Sequence, residues 1–399
     1  MEIKYLEGRA VLYREGVPFR IKGAAGTEHL DKLAAYGGNS IRTWSLHNAE
    51  EILDEAHKNG LTVTLGLEVG IPYWGEDFNY WNLWAVDRKI DELRPSIEKY
   101  KDHPALLMWG VGNEVSLKGG PRYLVYYILN RIAKMVKEVD PDHPTMTAIN
   151  MQTFGRTRYL MPHIDVLGYN GFSEIVPFYA SNKNYGNKGW GKAYILSEWG
   201  PPGHWEVQDT EWGAPLEMSN SLKTAYQNQY WELISQDSLA LIGTYAFYWG
   251  NKFEITPTWF SLFSEEGYES ESVQFLRWTW TGQEPGNFAP RIEQLLLDGQ
   301  VPSLNTYLTA DSSYSAEAIV EDRENDPITF RWEIREEESK FYEVNPYQYN
   351  MIQLLPEDFE AEIEFKTPKN EGAYRLYVYA FDGNGNFASS NLPFYVINR

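Results

Sequence analysis

Between residues 19 and 280, short apolar runs alternate with longer stretches whose apolar positions recur at helical spacing. The runs fall at 19–24, 39–44, 61–67, 105–111, 144–149, 165–169, 193–197 and 241–248. They are too short for helices and are bounded by turn residues, so they read as strands. Segments 48–58, 121–138 and 219–236 read as amphipathic helices, and Asn48 followed by Glu50 and Glu51 has the composition of a helix start. Strands separated by helices imply a parallel sheet, and eight is the number that closes into a barrel. A doubly wound open sheet is the competing arrangement, but no glycine-rich phosphate turn follows the first strand as that fold requires.

Beyond Trp280 the texture changes. Residues 282–286 carry two Gly and one Pro, and from about Pro302 short alternating runs such as 328–334 and 374–381 are separated by turn clusters. The expected fold class is therefore α/β, a (β/α)8 TIM barrel followed by a C-terminal immunoglobulin-like β-sandwich. The expected domains are a barrel over 1–286, a linker over 287–301 and the sandwich over 302–399. Residues 1–16 read as a β-hairpin capping the bottom of the barrel, and the apolar stretch 292–297 reads as interface material between the domains.

Charge narrows the partners. The formal net charge of −21 disfavours nucleic acid and other polyanions. No apolar run is long enough to span a membrane, so no membrane insertion is expected. Aromatic residues make up 15% of the chain, more than a core needs, which suits a protein that grips flat, hydroxylated rings. A neutral polysaccharide or oligosaccharide is the expected partner, and the chain is expected to act as a monomer. The absence of cysteine excludes disulfides and thiolate chemistry. The N-terminus is polar from Glu2 onward and has no signal core. The expected location is extracellular or periplasmic after loss of a leader, with the cytoplasm as the alternative.

Two motifs carry chemistry. Trp109 to Val115 reads WGVGNEV and delivers Glu114 at the end of the fourth strand, with Gly110 and Gly112 sharing its parity and leaving room in the barrel mouth. Tyr194 to Pro202 reads YILSEWGPP and delivers Glu198 at the end of the seventh. Barrel active sites lie at the C-terminal ends of the strands. The Glu-Trp-Gly string recurs at Glu211, but a polar stretch precedes it, so Glu211 reads as a loop residue at the rim. Two carboxylates about 5–5.5 Å apart across one pocket suit retaining glycoside hydrolysis. Glu198 would attack, and Glu114, its pKa raised by the neighbouring charge, would act as acid and base. Arg42, ending the second strand, is the candidate cation that keeps Glu198 ionised, and a structural ion pair is the plainer alternative. Tyr169, ending the sixth strand, is the candidate hydrogen-bond donor to the same carboxylate.

Asn-Glu ending strand four, Glu ending strand seven, Arg ending strand two and an aromatic at strand eight together resemble glycoside hydrolase clan A, over about residues 17–280. The resemblance implies that Glu114 is the acid/base, that Glu198 is the nucleophile and that anomeric configuration is retained. It implies that Asn113 binds the sugar 2-hydroxyl and that Trp249 lines the subsite of the cleaved sugar. The opening Phe19-Arg20-Ile21-Lys22-Gly23 is similar to family 2 barrels and fungal β-1,3-glucanosyltransferases, although the N-terminal sandwich domains of family 2 are missing. A barrel followed by one immunoglobulin-like module, with glutamates at 114 and 198, resembles bacterial endo-β-1,3-glucanases of family 158.

Aromatics crowd the loops after strands three, seven and eight, and either stack on sugars or pack those loops together. Trp74, Trp205 and Trp249 are the expected sugar contacts, with Trp44 and His204 as further substrate-binding candidates. No His spacing suits a metal, and the oxygen-rich stretches 382–386 and 322–326 read as turns rather than calcium loops. No metal and no cofactor are expected. The leading expectation is an endo-acting β-1,3-glucanase. An exo-β-glycosidase or a β-glucan transglycosylase would use the same two glutamates, and a non-catalytic carbohydrate-binding protein is the rival of another class.

Overall fold

The computed structural model describes residues 1–70, 78–115, 122–149, 159–181, 190–337, 351–355 and 360–398, with only the backbone of 122, 181 and 351–354. The chain forms two compact units, one of residues 1–200 and 230–249, the other of 201–229 and 250–399.

The first unit opens with a small antiparallel sheet, β1 (Glu2–Leu6), β2 (Arg9–Arg14) and β3 (Val17–Pro18). Eight parallel strands follow: β4 (Ile21–Ala25), β5 (Ser40–Arg42), β6 (Thr62–Leu67), β7 (Leu106–Asn113), β8 (Thr145–Ile149), β9 (Val166–Gly171), β10 (Tyr194–Trp199) and β11 (Leu241–Phe247). They pair in chain order, and β11 returns to pair with β4, closing the barrel. Every residue of β6, β8, β9, β10 and β11 is buried, which is why these strands read as nearly continuous apolar runs. Between them lie helices α1 (Leu30–Ala35), α2 (Ala49–Lys58), α3 (Leu83–Tyr100), α4 (Arg122–Val139) and α5 (Ile175–Ser181). Helix α2 buries Ala49, Leu53 and Ala56 on one face. Asn48 does hold its N-cap position, but with φ of 52° and no side-chain capping bond, so its left-handed backbone rather than its amide suits the site.

The hairpin caps the barrel at its N-terminal end. The Met1 amino group donates to Asp142 O, Ala10 N to Leu239 O and Arg14 to Pro104 O, and these acceptors lie just ahead of β8, β11 and β7. The opposite end is left for chemistry. Inside the barrel, the Tyr245 hydroxyl meets Ser40 Oγ at 2.8 Å and Thr64 Oγ1 at 2.6 Å, a satisfied polar layer below the mouth. Burial pushes the Tyr245 phenol up to about 12.

Helix α6 (Asn220–Ile234) begins within the second unit, and α7 (Glu271–Thr281) lies in it. Its strands are β12 (Arg291–Leu297), β13 (Tyr307–Thr309), β14 (Ser313–Glu321), β15 (Thr329–Glu336), β16 (Met351–Leu354), β17 (Glu362–Lys366), β18 (Gly372–Phe381) and β19 (Phe387–Ile397). They form two sheets, ordered β12-β14-β17 and β13-β19-β18-β15-β16. Trp332, Phe365, Leu376, Val378 and Phe394 fill the core of this sandwich.

One expectation changes here. Residues 287–301 are not a linker, because β12 pairs with β14 from Arg291↔Glu321 to Leu297↔Ala316. A register shift between Ile292 and Gln294 turns both Ile292 and Leu295 inward, so this strand supplies sandwich core. The row Tyr377, Tyr379 and Phe381 lies on the other face of β18. Tyr377 and Tyr379 are buried, and Tyr268 packs on Phe381 with centroids 5.0 Å apart. Among the described residues, no helix is long and apolar enough to cross a membrane.

Candidate active site

Glu198 stands near the C-terminal end of β10, where the chain bulges: Leu196 pairs with Tyr169, but Glu198 already pairs with Asn170. A matching irregularity lies in β7 between Gly110 and Asn113. Bulges re-aim side chains, and these two sit on the strands that carry the predicted catalytic pair. They also break the parity argument made for the glycines. Gly112 has φ of +73°, and a Cβ there would meet Val115 and Leu129, so it serves a left-handed turn and opens no space in the mouth. Glu114 follows, also left-handed with φ of 50°, half-buried, its amide donating to Ala148 O at 2.9 Å.

Arg42 organises the mouth. Its Nη1 donates to Glu198 Oε1 at 2.7 Å and to Ser197 O at 2.9 Å, while Nη2 donates to Asn113 Oδ1 at 2.6 Å. The pair is nearly dry, with side chains 3% and 10% exposed. A second donor reaches the same carboxylate oxygen, Trp44 Nε1 at 2.8 Å from Glu198 Oε1. Asn170 Nδ2 donates to Asn113 Oδ1 at 3.1 Å, and Ser197 Oγ donates to Asn170 Oδ1 at 2.7 Å. Arg42, Asn113, Asn170 and Ser197 thus close a ring across β5, β7, β9 and β10. Both bonds to the Asn113 side chain end on Oδ1, which leaves its amide nitrogen to donate elsewhere.

Tyr169 is misplaced in the sequence reading. Its ring stacks on Phe178 of α5 with centroids 4.6 Å apart, and its hydroxyl reaches Glu174 Oε2 at 3.4 Å, so it belongs to the helical layer. Alternation along β9 sends Asn170, not Tyr169, toward Glu198. Asn170 was missed for that reason, and strand parity at β9 was the available signal; Ser197 lies in the β10 bulge, where alternation does not apply. Trp249 is misplaced too. It is fully buried, and Nε1 donates to His29 O, so no face is left for a sugar. Phe247, which ends β11, and Tyr248, which follows it, are the aromatics beside the site. Trp44 stacks on Tyr248 at 6.0 Å and meets Phe247 edge-on at 5.9 Å. Burial, aided by the charge of Glu28, pushes the Tyr248 phenol up to about 12.

Trp74 lies outside the described residues. His204 and Trp205 belong to the second unit, where His204 pairs with Glu254 at 3.5 Å and Trp205 packs edge-on against it, 56% exposed. Glu211 is tied to the sandwich rather than to a rim, since Tyr307 Oη donates to its carboxylate and its amide donates to Asn305 Oδ1. Asp322, Glu324 and Asp326 bring oxygens within 4.8 Å of one another. Asp326 already accepts from Asn287 and Asn384, and Glu324 from the Phe288 amide. Asp382 accepts from the amides of Asn384 and Asn386, a self-capped hairpin between β18 and β19.

Residues 28–202 match the family described as glycosyl hydrolases family 2, TIM barrel domain. A β-galactosidase of Bacteroides ovatus is 24% identical over 189 residues, covering 39% of this chain and 21% of that protein. A β-glucuronidase of Streptococcus agalactiae is 26% identical over 201 residues, covering 43% and 32%. Among solved structures, Bifidobacterium dentium β-glucuronidase superposes with a TM-score of 0.56 at 16% identity, over 71% of this chain and 50% of that one. Bacteroides uniformis β-glucuronidase 2 gives 0.52 at 13%, over 100% and 48%. The chain spans about half of these structures' length and a third or less of those sequence relatives.

Proposed function

We propose that this chain carries the catalytic site of a retaining β-glycosidase that removes a terminal sugar. The observation that carries the reading is Glu198, held by Arg42 at the barrel mouth, with Glu114 at the end of β7. In the first step a Glu198 oxygen bonds to the anomeric carbon, the glycosidic C–O bond breaks, and the Glu114 carboxyl proton goes to the leaving oxygen. In the second, Glu114 takes a proton from water, whose oxygen displaces Glu198 and releases the sugar. Asn113 is the proposed donor to the 2-hydroxyl, and Phe247 and Tyr248 form the proposed apolar wall.

Exo action is preferred to the β-1,3-glucanase expected from the sequence, because the relatives named above are a β-galactosidase and β-glucuronidases. An endo reading keeps one support, a mannan endo-1,4-β-mannosidase of Aspergillus clavatus that is 24% identical over 127 residues. The test is hydrolysis of aryl β-galactoside, glucuronide, glucoside and mannoside beside soluble β-mannan and β-glucan. We expect release from one aryl glycoside with retained configuration, lowered about 10⁴-fold or more in Glu198→Gln and Glu114→Gln. Oligosaccharide release from polymer alone would replace exo by endo action, and full activity in either variant would sink the assignment.

A further inference from the structure

Building on the glycosidase reading, we propose that Trp44 is a positioning residue that decides which oxygen of Glu198 attacks. Arg42 Nη1 at 2.7 Å and Trp44 Nε1 at 2.8 Å both end on Oε1. Among the described residues nothing donates to Oε2, although the side chain keeps only 10% exposure. Two donors occupy the lone pairs of Oε1 and draw its charge. The pair of electrons free to bond to an anomeric carbon is therefore on Oε2.

The indole is held for this task from several sides. It stacks on Tyr248, meets Phe247 edge-on and lies beside the Arg42 guanidinium, 5.5 Å from the ring centroid. Gly66 on β6 makes room for its backbone, since a Cβ there would sit 2.3 Å from the Trp44 carbonyl carbon. An indole N–H donates and does not accept, and like a guanidinium it does not titrate near neutral pH. Both donors to Oε1 therefore persist over the whole working range. The phenol expected in this role, Tyr169, is turned toward Glu174 instead.

The experiment uses the full chain and a 2-deoxy-2-fluoro-β-glycosyl fluoride of the sugar that wild type accepts. Such a reagent traps the glycosyl-enzyme by slowing its hydrolysis. The variants are Trp44→Phe, which keeps a ring between Phe247 and Tyr248 but loses the N–H, and Trp44→His, which keeps an N–H. Loss of the donor should slow trapping at Glu198 about 10–100-fold in Trp44→Phe, with the free sugar inhibiting as well as before. Trp44→His should recover part of that rate. A wild-type trapping rate in Trp44→Phe, or a loss confined to sugar affinity in both variants, overturns the positioning role. Wild type that is never labelled at Glu198 overturns the glycosidase reading itself.

Discussion

Both units bury an arginine–glutamate pair, and the two pairs are built to different ends. In the sandwich unit, Arg375 Nε and Nη2 grip Glu337 at 2.7 and 2.8 Å, Nη1 donates to Asn391 Oδ1, and Nη2 also donates to Pro215 O. Both Glu337 oxygens are bonded, and each side chain is 1% exposed. At the barrel mouth, Arg42 holds Glu198 by one oxygen and leaves the other with no donor among the described residues and with residual exposure. A buried charge is tolerated when its bonds are satisfied, so the fully bonded pair is a fastener. An unspent carboxylate oxygen in a dry site costs stability and is kept where chemistry uses it.

The sharpest way to break that comparison is to remove one member of each pair. Arg375 fastens β18 both to Glu337 and to the segment that carries Pro215. Arg375→Leu should cost about 3–5 kcal/mol, because it strands a fully buried carboxylate. Urea unfolding should show it as a lower midpoint. The corresponding loss in Glu198→Gln should fall on turnover, with unfolding changed by no more than about 1 kcal/mol. Equal stability losses in the two variants would erase the distinction between fastener and tool.

The barrel was legible because each strand is a buried apolar run and each helix carries one apolar face. Glu114, Glu198 and Arg42 were legible because an apolar run delivers each to a strand end. What failed was orientation. Tyr169 and Asn170 are neighbours of opposite parity, and one residue of register decides which faces the mouth. Trp249 lies two residues past the last β11 residue, where strand periodicity no longer applies. Residues 292–297 look equally apolar in a linker as in a sandwich strand, and the register shift that turns Ile292 and Leu295 inward leaves no mark in composition.

That parity can be tested next. Asn170 joins the Asn113 and Ser197 side chains, so Asn170→Ala should leave the buried Ser197 hydroxyl without this acceptor and Asn113 Oδ1 with Arg42 alone of its two donors. We expect kcat/KM to fall about 10-fold and stability by about 1–3 kcal/mol. Tyr169→Phe, which keeps the ring stacked on Phe178, should keep kcat/KM within about 2-fold, since that packing is unchanged. The reverse ranking in steady-state kinetics would put Tyr169 back beside the nucleophile.

Glu271 offers the smallest effect and a third case between the two pairs. Its Oε1 lies 3.6 Å from Arg291 Nε, beyond a good hydrogen bond, and its Oε2 is buried with no partner among the described residues. Burial raises its pKa to about 7, opposed by the charge of Arg291 and reinforced by that of Glu293. Because the folded value lies above the unfolded one, the unfolded chain releases this proton first as pH rises. Stability should therefore decline between about pH 4.5 and 7 and level off above, by about 1–2 kcal/mol after allowance for the 24% exposure of the side chain. Glu271→Gln should remove that decline and leave the acid side unchanged. Urea midpoints across pH 4.5 to 8 measure it, and an unaltered slope in the variant would mean that Arg291 compensates the carboxylate as fully as Arg375 does Glu337.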